Sequence, residues 1–411
     1  MCPGRQRGTM AIQFLVILVP VLLVMMGFAV DLGRIYLIRG ELNQAASAMA
    51  LAAASQLNGT QLATQSADTA AQVTANKYNF GSIVVGDQGT ALTSNVSAPA
   101  YFATALDALN AYGSTSATSL ADGTTARHAT VNLSADAPLL FWSLLSLGQS
   151  RKTSIAASAS AGVSPPLCTA CGIEPFAIAA LDQNELDNFG FAVNGLYTLG
   201  AQCAPGNAAA IPGTLSRIQY GVINRLDVNS AYTEPQQLFR DGAQGLTPST
   251  SSVQSCAVAG TTESLWAAVT GQACAAANPA ASLEYAMCGV STRLSDTAPA
   301  VCAGNTDLAQ VATGYAQDTD VTYVTDYSAY AGNNRRLMTL PVVDSLATLT
   351  ILGFRQFLLE PNDAGGTINN PADGDGRIVA MYVGVKAPVK QGRFDGSCAA
   401  TAGPGKVVLL Q

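Results

Sequence analysis

The chain has 411 residues, a formal net charge of −7, 49% hydrophobic but only 11% charged residues, and a single histidine, His128. Soluble domains carry about a quarter charged residues, and aromatics at 7% leave alanine as the main source of the apolar excess. One imidazole excludes His-rich zinc sites and the HExxH helix, and the acidic balance, with no basic run longer than Arg151-Lys152 or Arg335-Arg336, excludes an extended nucleic-acid face. High hydrophobicity at low charge favours packed cores over disorder, and the length allows two or three domains of roughly 150 residues.

Met10 to Val30 reads MAIQFLVILVPVLLVMMGFAV and holds no charged side chain. At about 1.5 Å per residue a helix of that length crosses the roughly 30 Å of bilayer hydrocarbon. Pro20 is compatible with a membrane helix whose freed carbonyl finds another donor. A cleaved signal peptide, cut near Gly27-Phe28-Ala29, is the competing reading. The run is longer than a signal h-region and the pattern beyond it stays helical, so a lipid-embedded anchor is expected. Lys and Arg balance across it (Arg5 and Arg7 against Arg34 and Arg39). The α-amino group and the cysteines tip the N-terminus to the cytoplasmic side. Cys2 precedes the span, and eight cysteines (Cys168, Cys171, Cys203, Cys256, Cys274, Cys288, Cys302, Cys398) follow it. An even set in a Ser/Thr/Asn-rich ectodomain fits an oxidising compartment and disulfides, in any of 105 pairings.

From Asp31 to Leu57 the residues Ile35, Ile38, Leu42, Ala45, Met49, Ala52 and Gln56 recur at three- and four-residue spacing. That is a narrow helical seam. Seven of the ten residues from Ala45 to Ala54 are alanine, which favours helix and lets backbones approach closely. The seam has two possible partners: the chain's own ectodomain, or like helices of other subunits. A helix half in the bilayer and half out, leading into a β-rich body, is the general plan of pilins and pseudopilins.

The block Arg7 to Leu57 resembles the N-terminal segment of TadG-like proteins of Tad/Flp (tight adherence) pilus-assembly systems. Arg7-Gly8 before the apolar run, Val30-Asp31-Leu32-Gly33-Arg34 at its end, Tyr36, Arg39, Glu41-Leu42 and Leu51-Ala52-Ala53-Ala54 carry the likeness. Two positions depart from the pattern. Ser47 stands where the Ala-rich tail usually has an acidic residue. Gln13 stands five residues after Gly8, where a prepilin peptidase site has glutamate. The resemblance implies a single-pass protein of the bacterial inner membrane with a periplasmic or surface-exposed ectodomain. It also implies other pilus-assembly proteins or like subunits as partners, and a structural role.

Gln61 to Phe80 keeps helical potential, and Ala129 to Asp136 and Arg151 to Val163 alternate with period two as half-buried strands do. Between them Pro138 to Leu147, PLLFWSLLSL, is too short to span a bilayer; it reads as buried, with a membrane-touching surface as the alternative. This order resembles the close of TadE and TadG ectodomains. Ser164-Pro165-Pro166 marks a boundary. Beyond it Arg336–Val343, Thr348–Phe354, Phe357–Glu360, Arg377–Val385 and Lys406–Leu410 read as strands of an antiparallel sheet. This tail also resembles the C-terminal ends of TadG-like proteins. The expected fold is α+β: an anchor and emerging helix over 1–57, a pseudopilin-like α+β module over 58–163, and a disulfide-stapled, antiparallel β-rich domain over 164–411.

Cys168-Thr-Ala-Cys171 has CxxC spacing but lacks the βαβ context of a redox motif, a second close pair for zinc, and a following histidine for haem; two staple ends fit better. Asp373-Gly-Asp-Gly376 fails the EF-hand pattern at Pro371 and Tyr382. Asp326-Tyr-Ser328 and Asp395-Gly-Ser397 each lack the last serine of a DxSxS metal motif. Among Glu174, Asp182, Glu185 and Asp187 no spacing selects an acid/base pair, and solvated loop carboxylates are expected. The chain is therefore expected to be a non-enzyme with no cofactor, metal or nucleic-acid partner. The alternative is an anchored adhesin or glycan-binding ectodomain, displaying Tyr323, Tyr327 and Tyr330 from a loop.

Overall fold

The computed structural model describes residues 7–78, 94–113, 119–139, 141, 152–174, 176–201, 216–223, 256–264, 290, 293–294, 322–361, 378–394 and 403–410. Helix α1 (Arg7–Ser55) is continuous over 49 residues with Pro20 inside it, about 74 Å at 1.5 Å per residue. Helix α2 (Ala63–Ala75) follows, with Ala63, Ala67, Ala71 and Ala75 on its buried face. Next come β1 (Ser94–Val96), β2 (Ala100–Phe102), the short α3 (Ala105–Asn110), β3 (His128–Pro138) and β4 (Lys152–Val163). β3 and β4 form a hairpin in unbroken register, from Pro138 opposite Lys152 to His128 opposite Gly162. Both were legible from their alternation.

The inward residues of that hairpin, Ala129, Val131, Leu133 and Ala135 of β3 with Ile155, Ala157, Ala159 and Ala161 of β4, pack on α1 and α2. Small side chains on both sides let the helix lie close to the sheet. On the other face α3 covers Thr130 and Ser160, whose hydroxyls bond each other at 2.9 Å and the carbonyl of Ala108. The helix–sheet unit is completed by a strand from the far end of the chain. β14 (Val407–Leu409) pairs with β4, not with the other late strands.

His128 is buried at the end of β3, beside Gly162, where a Cβ would come within 2.1 Å of its ring. Burial holds the imidazole below its ordinary value of 6.5, against contacts with Ala103 and Phe102 that pull it up. The unfolded chain thus takes a proton at His128 before the folded one does. Stability from this group is full above pH 6.5 and falls as pH drops through 6.5, by up to about 1.4 kcal/mol per pH unit. Urea titrations across that interval should show the slope, and His128→Gln should remove it.

The second body is a closed six-stranded barrel in the order β10-β11-β12-β7-β8-β6. Its strands are β6 (Phe176–Ala179), β7 (Leu196–Ala201), β8 (Ser216–Val222), β10 (Leu337–Val343), β11 (Ile351–Leu359) and β12 (Ile378–Gly384). The expected all-antiparallel sheet needs correction, because β6 pairs with β10, and β7 with β8, in parallel. The antiparallel expectation rested on neighbours joined by hairpins, whereas parallel partners need a crossover. One bent strand, β11, replaces the two expected over 348–360; Arg355 and Gln356, which looked like a break, are fully buried within it.

Alternate side chains fill the barrel: Met338, Leu340 and Val342 of β10, Phe357 and Leu359 of β11, Ile378, Ala380 and Tyr382 of β12, and Phe176 and Tyr220 from across it. The outward residues are covered too. Leu337, Leu358, Met381 and Val383 lie under Val324, Tyr327 and Tyr330. Val343, Ile351 and Phe354 lie under Ala170, Ile173 and Ala257. That double cover is why β10 and β12 read as continuous apolar runs, as strands buried on both faces do.

The third sheet, β13-β5-β9 (Gln391–Arg393, Thr169–Cys171, Cys256–Val258), is clamped by a Cys171–Cys256 disulfide. Cys168 is also disulfide-bonded. The CxxC pair is thus two staple ends; Cys203, Cys274, Cys288, Cys302 and Cys398 lie outside the described residues. The Cys171–Cys256 link spans 85 residues, and loop-closure entropy on that scale is worth roughly 4 kcal/mol. Cys171→Ser with Cys256→Ser should lower unfolding stability by about that amount, read as a shift of the urea midpoint under oxidising conditions and no shift under reducing ones.

Candidate membrane and assembly face of the long helix

Among the described residues one helix is long and apolar enough to cross a membrane. Every residue from Ile12 to Val30 is exposed except Gly27; Phe14, Ile17 and Met25 are each at least 65% open. A surface of that size has no place in water. Just past it the environment inverts. Ile38, Leu42, Ala45, Ala46, Met49, Ala50, Ala53, Ala54 and Leu57 are buried, packed with the hairpin and α2 in one cluster.

The seam is therefore a packing face, and its partner is the chain's own sheet. Ile35 and Ala52 of the expected set are only half-buried, whereas Ala46, Ala50, Ala53 and Ala54 join it. The stripe is broader than a coiled-coil seam because a sheet offers a wide, nearly flat surface. The signal for the added positions was present in the alanines themselves, which tolerate close approach on more than one line of the helix.

Where the two halves of α1 meet, the sequence Gly27 to Asp31 is held by the start of the β3–β4 connection. The Phe141 ring lies on Gly27, where a Cβ would sit 2.6 Å from it, and the Phe141 N–H donates to Asp31 Oδ2 at 2.9 Å. Asp31 is thereby buried at the end of the apolar run. Opposite the seam, Gly33, Tyr36, Leu37 and Gly40 share a helix face. Tyr36 and Leu37 are 68% and 75% exposed, and among the described residues a Cβ added at Gly33 or Gly40 would meet nothing within 4 Å.

Residues 8–56 match the model of the family described as "Putative Flp pilus-assembly TadE/G-like". The N-terminal segment is TadE/G-like. The match begins at Gly8 and ends one residue beyond α1, so it covers both the apolar half of the helix and the half packed on the sheet. The likeness of the C-terminal tail falls outside it. No curated protein and no solved structure matches the chain.

Away from the TadE/G-like segment the other candidates resolve into structure. Asp326 caps a 3-10 turn (Tyr327–Ala329), its carboxylate accepting from the Ser328 N–H and hydroxyl. Glu185 accepts backbone N–H groups of Asp187, Asn188 and Gly190, chiefly the last, which holds its carboxyl below the usual range. Asp182 closes a turn onto the Asn184 N–H. Glu174 departs from the expected solvated carboxylate: it is fully buried and paired with Arg293.

Two of the three tyrosines expected on display are also corrected. Tyr327 and Tyr330 are buried, stacked on each other 6.1 Å apart over the outside of the barrel, with the Arg336 guanidinium above Tyr330; Tyr323 alone is partly open. Two buried rings cannot stack on a sugar. The described residues hold no group of three or more His, Cys, Asp or Glu that could bind a metal. Asp373–Gly376, Asp395–Ser397 and most of Pro138–Leu147 lie outside the described residues.

Proposed function

We propose that the chain is a membrane-anchored structural component of a Tad/Flp-like pilus or a related secretion system, with its N-terminus cytoplasmic and its ectodomain exported. The observation that carries this reading is the TadE/G-like match over 8–56, which coincides with a helix that changes from fully exposed apolar surface to a packed face at Asp31. The protein acts by holding partners, not by catalysis. Because the seam is occupied by the chain's own sheet, contact with other pilus components falls to the opposite face, around Tyr36 and Leu37 and down into the bilayer. The half-buried Cys171–Cys256 disulfide fits the oxidising side of an inner membrane.

A clean deletion tests the role. Pili should be lost, and restored by the wild-type chain. Tyr36→Glu with Leu37→Glu should fold, yet fail to restore pili or to co-precipitate other assembly components. Normal piliation in the deletion strain would overturn the proposal.

A further inference from the structure

A cavity of about 390 Å³ lies between the outer end of the apolar half of α1 and the β3–β4 hairpin, walled by Val24, Met25, Phe28 and Leu32 on the helix and by Leu139 and Phe141 on the hairpin. Phe28, Leu32 and Phe141 remain 56%, 42% and 41% exposed around it. The hairpin side is not there by chance, since the Phe141 ring seats on Gly27 and its N–H is held by Asp31. Gly27 and Phe28 belong to the uncharged stretch that ends at Val30. Three residues of helix are about 4.5 Å, so Phe141 reaches down past the end of the span to hydrocarbon depth.

The walls say what fits. They are mostly hydrocarbon and aromatic; the polar members are Thr153 and the carboxylate of Asp31, which already accepts the Phe141 N–H. An extended peptide there would leave its own N–H and C=O groups unpaired, which costs several kcal/mol per group in apolar surroundings. A flexible chain with no polar groups meets no such obstacle, and the cavity walls run without a break into the exposed apolar side chains of the span.

We propose that this cavity takes a phospholipid acyl chain, making the β3–β4 hairpin a second membrane contact that fixes the depth and tilt of α1. The proposal rests on the membrane-spanning reading of α1. It also assigns Gly27 a role: a larger residue there would push the Phe141 ring off the helix.

Single-tryptophan reporters in the full chain test it. With Trp142 and Trp266 replaced by Phe, the protein is reconstituted into phosphatidylcholine–phosphatidylglycerol vesicles whose acyl chains carry bromine, and aqueous acrylamide serves as the opposing quencher. Leu22→Trp reports on the middle of the span and Leu181→Trp on the exposed barrel surface. Phe141→Trp should lose fluorescence to brominated lipid as strongly as Leu22→Trp, most with bromine near the carboxyl end of the chain, and should resist acrylamide. If Phe141→Trp does not fold, Leu139→Trp on the same wall takes its place. Quenching of Leu22→Trp without quenching at the hairpin overturns the acyl-chain site and leaves the anchor intact. Protection of the hairpin tryptophan from both quenchers overturns it in favour of a protein neighbour. Absence of lipid quenching at Leu22→Trp overturns the membrane reading itself.

Discussion

Glu174→Ala should cost about 3 to 5 kcal/mol of unfolding free energy, the toll of leaving one partner of a buried ion pair uncompensated. Glu174 and Arg293 are both fully buried against the barrel. The Glu174 N–H donates to the carbonyl of Thr339 at 2.9 Å, fixing it beside β10. Arg293 donates to the carbonyls of Arg335 and Leu337 at 3.2 and 3.1 Å. Without the carboxylate, the guanidinium keeps those two carbonyls but has no counter-charge and no route to water. Against a total stability of about 5 to 15 kcal/mol, that loss leaves little margin.

The same argument gives a control. Glu174→Leu combined with Arg293→Met removes both charges, and exchanging a buried pair for packed apolar groups is often neutral or stabilising. The double variant should therefore recover most of what Glu174→Ala loses. Urea unfolding of the purified chain in detergent measures both. Equal losses in the single and double variants would show that packing, not charge, governs the site. A second buried pair, Arg336 with Glu360 at 3.3 Å, sits just before β10 and just after β11, and Arg336 also donates to the Leu359 carbonyl at 2.8 Å. Two ion pairs are thus buried against the barrel in a chain with so few charged residues.

How far the fold could be read from the residues depended on the range of the contacts involved. The long helix α1 and the β3–β4 hairpin are local patterns, and each was legible. The barrel was not, because its outward faces are themselves covered: Leu337, Leu358 and Met381 carry no polar alternation to mark a sheet surface. Of its parallel pairs, β6–β10 joins segments far apart in the sequence, which no local signal spans, and β7–β8 joins consecutive strands that a hairpin pattern would pair antiparallel. β14 returns to β4 from some 240 residues away, and its short apolar sequence does not encode which sheet it completes. Tyr327 and Tyr330 sit in a Gly/Asn-rich loop that reads as solvent-facing, yet the loop is a lid on the barrel. Of the candidate face, the seam's spacing was in the sequence, but its partner was not: a helix stripe of alanine and leucine suits a sheet and another helix alike.

That ambiguity is settled by paired substitutions on the two sides. Leu42→Ala should destabilise the isolated chain by about 2 to 5 kcal/mol, as for any large side chain removed from a filled core, because Leu42 is fully buried on the sheet. Val131→Ala, from β3 in the same cluster, should destabilise it through the same core by a smaller amount, in keeping with its smaller side chain. Contacting residues share their losses, so the double variant should fall short of the sum. Had the seam been a face for neighbouring subunits, Leu42→Ala would leave the monomer's melting unchanged while Val131→Ala alone lowered it. Thermal melts of the full chain in detergent, at a concentration low enough to keep it monomeric, separate the two. A loss at Leu42 in the monomer means that the second half of α1 is a structural strut of the helix–sheet unit. The step at Asp31 from exposed apolar surface to sheet-packed surface then joins the two environments through one continuous helix.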